Sequence, residues 1–176
     1  LMSRLMLVSN RLPVSIHVDQ GRVAVSPSAG GVATGLRGPH ERSTGLWIGW
    51  PGSVSALSGR QRFSLERQLL AQRLVPVFQT PDETKHFYEE FSNGVVWPLF
   101  HYRLDRIPLD AAGWQTYRSV NAKYARMIAR HHRPGDLVWI HDYQLMLVPE
   151  MLRAHVPDAR IGFFLHIPFP AADVFR

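Results

Sequence analysis

Residues 136–170 constrain the fold more than any other part of the chain. They read DLVWIHD, then YQLMLVPEMLRAH, then RIGFFLHIPFP: an apolar strand, a helix and a second apolar strand within about thirty residues. That is the size of a right-handed βαβ unit, in which the two strands run parallel and end on the same edge of a sheet. Both strands are continuously apolar, as strands covered on both faces must be. The expected class is therefore α/β with a mostly parallel sheet.

The rest of the chain fits that frame. RLMLVSN (4–10) reads as a further buried strand. PVSIHVDQGRVAVSP (13–27) alternates around Asp19-Gln20-Gly21 and predicts a β-hairpin near the N-terminus. A glycine pair leads AGGVATGL (29–36) into a helix, and LWIGWPG (46–52) is strand then turn. LERQLLAQR (65–73) is helical and LVPVFQ (74–79) a strand. Thr80-Pro81-Asp82-Glu83 has the cap, the early proline and the acidic first turn of a helix start. GWQTYRSVNAKYARMIARHHRPG (113–135) carries Trp114, Tyr117, Val120, Tyr124 and Met127 on one stripe and stops at Pro-Gly. No repeat or linker divides the 176 residues, so they form one domain. FPAADVFR (169–176) opens another helix just after a strand, which marks the chain as a piece of something larger.

Strand ends in such sheets are where ligands are held. Asp142 ends one strand, His166 ends the next, and Asn10-Arg11 ends the first. A carboxylate, an imidazole and a guanidinium would then face one crevice. Each has a plainer reading: Asp142 as a helix cap, His166 as a core histidine, Arg11 as a surface ion pair. Their coincidence at one edge favours a site. Gly30-Gly31 before a helix could bring backbone N–H groups to an anion, although GGVATG is neither a dinucleotide fingerprint nor a Walker loop. Most of the aromatics Trp47, Trp50, Tyr88 and Trp97 belong to a core, but Trp50 and Trp97 sit beside turns, where rings stack on sugars. Arginine, carboxylate and aromatics together suggest a sugar phosphate.

Composition removes other classes. The net charge is +6, but no run of five or more like charges and no zinc-finger or RNA-binding signature occurs, so nucleic acid is not the expected partner. No apolar run approaches the roughly 20 residues of a membrane span, and no signal peptide opens the sequence. Zero cysteines rule out disulfides and thiolate metal sites and fit a cytoplasmic compartment. The histidines at 131, 132, 141 and 166 lack the spacing of a metal site, and there is no G-x-S-x-G elbow.

Six collinear blocks carry a resemblance: LVSNRLPVSI, AGGVATGL, WIGWPG, FYEEFSNGVVWPLFHY, WIHDYQLMLVPEMLR and IGFFLHIPFP. Together they resemble the amino-terminal half of the trehalose-6-phosphate synthases. The resemblance implies the Rossmann-like amino-terminal domain of a GT-B glycosyltransferase, with a carboxyl-terminal nucleotide-sugar domain absent after Arg176. It implies transfer of glucose from UDP-glucose, a co-substrate, to glucose 6-phosphate with retention, without a cofactor or an essential metal. Arg11 would bind the acceptor phosphate, and Trp50, Tyr88 and Trp97 would help bind glucose 6-phosphate. Asp142 would hold acceptor hydroxyls, Gly30 and Gly31 would lie near the donor diphosphate, and His166 would contact the donor glucose. Asp142 and His166 are thus the expected residues at the reacting centre, and this chain alone is expected to be inactive. Val32, where leucine is frequent, is a mild departure. Another GT-B sugar transferase, or a non-catalytic sugar-phosphate sensor on the same fold, stays open, as does homo-oligomerisation.

Overall fold

The structure, a computed structural model, describes residues 3–28, 30–108, 110 and 113–175, without the side chain of Phe175. Ala29, beside the glycine pair, and Arg176, in the last helical stretch, lie outside the described residues.

Strand β1 (Leu5–Arg11) is followed by the antiparallel hairpin β2 (Val14–Asp19) and β3 (Arg22–Pro27), whose turn puts Gln20 and Gly21 at φ 45° and 77°. Positive φ at both central residues matches the turn twist to the strands. Helix α1 (Gly31–Arg42), β4 (Leu46–Trp50), α2 (Gly59–Ala71) and β5 (Leu74–Pro76) come next. A single turn, α3 (Pro81–Glu83), opens a π-helix over Thr84–Val96, which passes into the short α4 (Trp97–Phe100). Then come α5 (Trp114–His131), β6 (Leu137–His141), α6 (Val148–His155) and β7 (Arg160–Phe164). The main sheet has the order β5-β4-β1-β6-β7 and every pairing in it is parallel.

The expected Thr80 cap forms. Thr80 and Glu83 close a reciprocal capping box, and so do Ser58 and Gln61, which starts α2 six residues before the predicted helix. Two apolar layers sandwich the sheet. Met6, Val8, Ile48, Val138 and Ile140 face one core with Tyr117, Val120, Tyr124 and Leu152. Leu7, Trp47 and Leu74 face the other, with Leu36, Leu65 and Leu69. The alternation along β1, with both faces filled, is why its sequence is apolar throughout.

Three expectations need correction. The segment 143–155 is not one helix: a 3-10 turn at Tyr143–Leu145 precedes α6, which starts with Pro149 in its first turn. The predicted strand 74–79 is shorter, ending at Pro76 on the edge of the sheet, where proline is tolerated, and the Val77 N–H still donates to the Gly49 carbonyl (2.8 Å). And β7 is not covered on both faces. Among the described residues it pairs with β6 alone, and Phe163 and Phe164 are 41% and 49% exposed. A continuous apolar run at a sheet edge reads like a central strand because composition carries no information about neighbours.

Candidate active site

The cleft begins with a bulge. Along β1 and β4, Val8 pairs with Ile48 but Arg11 pairs with Trp50, so three residues on one strand oppose two on the other. The extra residue bends the strand end and re-aims the side chains beyond it. Gly49 makes room: a Cβ there would lie 2.9 Å from the Ser9 carbonyl and 3.0 Å from the Leu12 nitrogen. The turned segment is then fastened. The Trp47 indole N–H donates to Ser9 Oγ (2.8 Å), and Ser9 Oγ donates to the Arg11 carbonyl (2.7 Å). The Tyr124 hydroxyl donates to the Asn10 carbonyl (2.5 Å), and burial pushes that phenol above its ordinary range. The result is an exposed Arg11 on a rigid base. Its guanidinium lies 5.5 Å from the Trp50 ring centroid and makes no hydrogen bond or ion pair among the described residues.

Asp142 combines the geometry of a cap with that of a ligand site. Its Oδ1 accepts from the backbone N–H of Tyr143 (3.0 Å) and of His166 (3.1 Å), so it caps the 3-10 turn and ties the end of β6 to the chain leaving β7. Its Oδ2 takes no hydrogen bond among the described residues. The backbone there is unusual, with φ 79° and ψ 169°, a conformation almost confined to glycine. Such a conformation costs roughly 1–3 kcal/mol, and strain of this kind clusters at active sites and ligand clamps.

Arg11, Gly30, Gly31, Tyr88 and Asp142 line one cleft of about 480 Å³, together with Ser9, His141 and Gln144. Gly30 caps α1 with no side-chain partner, and a Cβ on Gly31 would meet nothing within 4 Å. The protein itself does not need glycine there; the bare backbone leaves the cleft wall open at the positive end of a helix. Trp50 is half-buried behind Arg11, with its indole N–H buried and unpartnered among the described residues. Trp97 does not line this cleft. It is 40% exposed and stacks on His101 with centroids 3.8 Å apart. Tyr88 lies within the π-helix and Trp97 directly follows its end.

His166 also lies outside the cleft lining, but it is joined to it. His141, buried at the end of β6, holds His166 Nε2 at 3.0 Å from its own Nδ1. Burial, and then the nearby His166, lower the His141 pKa to about 4. Tyr143 is raised to about 12, mainly by burial, and donates to Asn93 Oδ1 at 2.7 Å. Sequence reasoning assigns no role to His141, Ser9 or Asn93. A polar residue closing a buried strand is the one available signal for His141.

The whole described chain has known relatives. The model of Glycosyltransferase family 20 matches residues 3–176. An alpha,alpha-trehalose-phosphate synthase [UDP-forming] 1 from Aspergillus niger is 41% identical over 181 residues, covering 99% of this chain and 34% of the relative. An alpha,alpha-trehalose-phosphate synthase (UDP-forming) from Burkholderia xenovorans, solved in complex with glucose-6-phosphate, superposes with a TM-score of 0.74 at 32% identity, over 98% of this chain and 36% of that one. An E. coli protein solved with UDP-2-fluoro glucose bound gives 0.74 at 34%, over 98% and 35%. The chain thus spans about a third of the length of the relatives it matches. With its parallel sheet, its bulged first strand and its open carboxyl edge, this chain belongs to glycosyltransferase family 20.

Proposed function

We propose that the chain is the acceptor side of a retaining glycosyltransferase that moves glucose from UDP-glucose to glucose 6-phosphate, giving trehalose 6-phosphate. The observation that carries this reading is the pairing, in one cleft, of an unengaged guanidinium at Arg11 with a strained carboxylate at Asp142 whose Oδ2 is free of partners among the described residues. Arginine matches a phosphate through paired, charge-assisted hydrogen bonds, and a carboxylate accepts from sugar hydroxyls. Relatives with glucose-6-phosphate and UDP-2-fluoro glucose bound support the substrates.

In this reading Arg11 anchors the acceptor phosphate, with Trp50 behind it. Tyr88 and Trp97 give the acceptor ring an aromatic side wall, and Asp142 orients its hydroxyls. Gly30 and Gly31 let the donor diphosphate approach the backbone at the start of α1. His166 contacts the donor glucose. The bond from the glucose anomeric carbon to the diphosphate oxygen breaks, and a bond from the same carbon to the acceptor hydroxyl oxygen forms on the same face. The hydroxyl proton passes to the leaving diphosphate. Positioning and charge stabilisation at the leaving group supply the catalysis. Asp142 orients and does not abstract.

In this reading the nucleotide is gripped by residues beyond those this chain spans, so the chain alone binds glucose 6-phosphate and does not turn over. Titration calorimetry with glucose 6-phosphate tests this, beside an assay for trehalose 6-phosphate with the chain and with the longer reading frame. Binding that Arg11→Ala weakens strongly, with turnover by the longer protein only, is the expected result. Binding by the longer protein without turnover would make it a sugar-phosphate sensor instead.

A further inference from the structure

We propose that His141 is a positioning residue: its Nδ1–H donates to His166 Nε2 and so fixes His166 in the tautomer that carries its only N–H on Nδ1. This rests on the role proposed above for His166 and deepens it.

Proton counting decides the direction of the bond. A neutral imidazole has one N–H and one bare nitrogen. Two neutral imidazoles 3.0 Å apart can be joined in only two ways. If His166 donated, the proton of His141 would sit on its Nε2. That atom is buried and has no partner among the described residues. A buried N–H without an acceptor is the rarer and more costly orphan. If His141 donates, its proton is used in the bond and only a bare lone pair is left at Nε2; the ring itself packs with its centroid 4.5 Å from that of Trp139. Burial keeps His141 uncharged at neutral pH, which removes the option of a second proton.

The consequence falls on His166. A free histidine favours the proton on Nε2, so His141 imposes the less favoured form and leaves Nδ1–H as the ring's one donor. No hydrogen bond among the described residues engages that atom. The backbone of His166 is held as well, its N–H donating to Asp142 Oδ1 (3.1 Å), and the Phe164 ring centroid lies 4.7 Å from that of His166. A donor that arrives pre-oriented for an oxygen of the donor glucose loses nothing to tautomer or rotamer selection at the moment of transfer. The role assigned to His141 is exerted through His166, as outer partners of metal-bound histidines act through their ligands.

The test is the tautomer itself, read by long-range ¹H–¹⁵N correlation on ¹⁵N-histidine-labelled chain at neutral pH, with His166→Asn to assign the signals. The expected spectrum shows His166 Nδ1 protonated and Nε2 bare. His141→Asn, whose amide can donate from the place of Nδ1, keeps that pattern; His141→Phe returns His166 to the Nε2–H form. A wild-type His166 protonated on Nε2 overturns the proposal, and that result does not depend on whether either variant folds. In the longer protein, His141→Phe lowers kcat by about 10- to 100-fold with the KM for glucose 6-phosphate unchanged, and His141→Asn restores most of it. Unchanged kcat in His141→Phe overturns the positioning role. The expected tautomer in a longer protein that transfers nothing would sink the functional reading and leave the histidine pair as assigned.

Discussion

Arg4 and Arg73 stand at the amino edge of the parallel sheet and Arg11 at its carboxyl edge, and the three are used in opposite ways. Arg4 donates to the His131 carbonyl (2.6 Å) and to Asp136 Oδ2 (2.6 Å). Arg73 donates to the carbonyls of Ser43 (2.5 Å) and His40 (3.3 Å). Arg11 has a ring behind it and no hydrogen-bond partner among the described residues. The amino edge is also the tighter in its backbone, for Gly45 passes so close to β1 that a Cβ would overlap the Leu5 carbonyl oxygen. Of the buried side-chain atoms without a partner among the described residues, Asn10 Oδ1, Trp50 Nε1, Gln79 Nε2 and His141 Nε2 belong to the carboxyl edge, against His40 and His132 at the other. Charge alone therefore does not mark a site. A cation whose donors are already engaged by the protein's own carbonyls holds the fold; one left unengaged is available to a ligand.

Substitutions can break that contrast. The largest effect belongs to Gly45→Ala, which should cost on the order of 4 kcal/mol or prevent folding, because the clash is with the backbone of β1; denaturant unfolding would show it. Asp136→Asn comes next. Burial alone would raise the Asp136 pKa, but the bonds from Arg4 and Arg133 outweigh it and hold the carboxyl below its usual range. Removing that charge strands Arg4 and should cost about 3 kcal/mol, with glucose 6-phosphate binding unchanged by calorimetry.

The carboxyl edge answers to pH. His141 is neutral when folded but takes a proton below its ordinary 6.5 when unfolded. Its contribution is therefore complete above that value and fades as pH falls toward about 4, by up to about 3 kcal/mol, measurable as unfolding midpoints across that window. The arginine pair gives the sharpest contrast and the smallest change in stability. Arg11→Ala should weaken glucose 6-phosphate binding about 100-fold with stability within about 0.5 kcal/mol, whereas Arg73→Ala should lose about 1–2 kcal/mol of stability and keep the binding. Equal losses of binding from the two would end the distinction between the edges.

Much of this could be read from the residues. β1, the hairpin, β4, β6 and β7 follow from apolar runs and turn chemistry, and the Thr80 cap from four residues. Asp142 could be placed at a seam because aspartate is rare in strands and common at caps. The features hidden from such a reading depend on neighbours distant in sequence. The π-helix looks like a helix in any periodic count, since Phe87, Phe91 and Val96 fit either winding loosely. The bulge needs the register between β1 and β4. The exposure of β7 needs the strand order, and the partnership of His141 with His166 joins positions 25 residues apart.

The backbone at Asp142 has a consequence for anyone who evolves this protein in the laboratory. Glycine would relax φ 79° at once and give up only two side-chain bonds, so variants ranked by heat resistance alone will drift toward glycine at 142. On the role proposed above for Asp142, variants of the longer protein ranked by product will keep the carboxylate. The two screens will part company at a single codon, and the direction in which each moves will report what that residue is for.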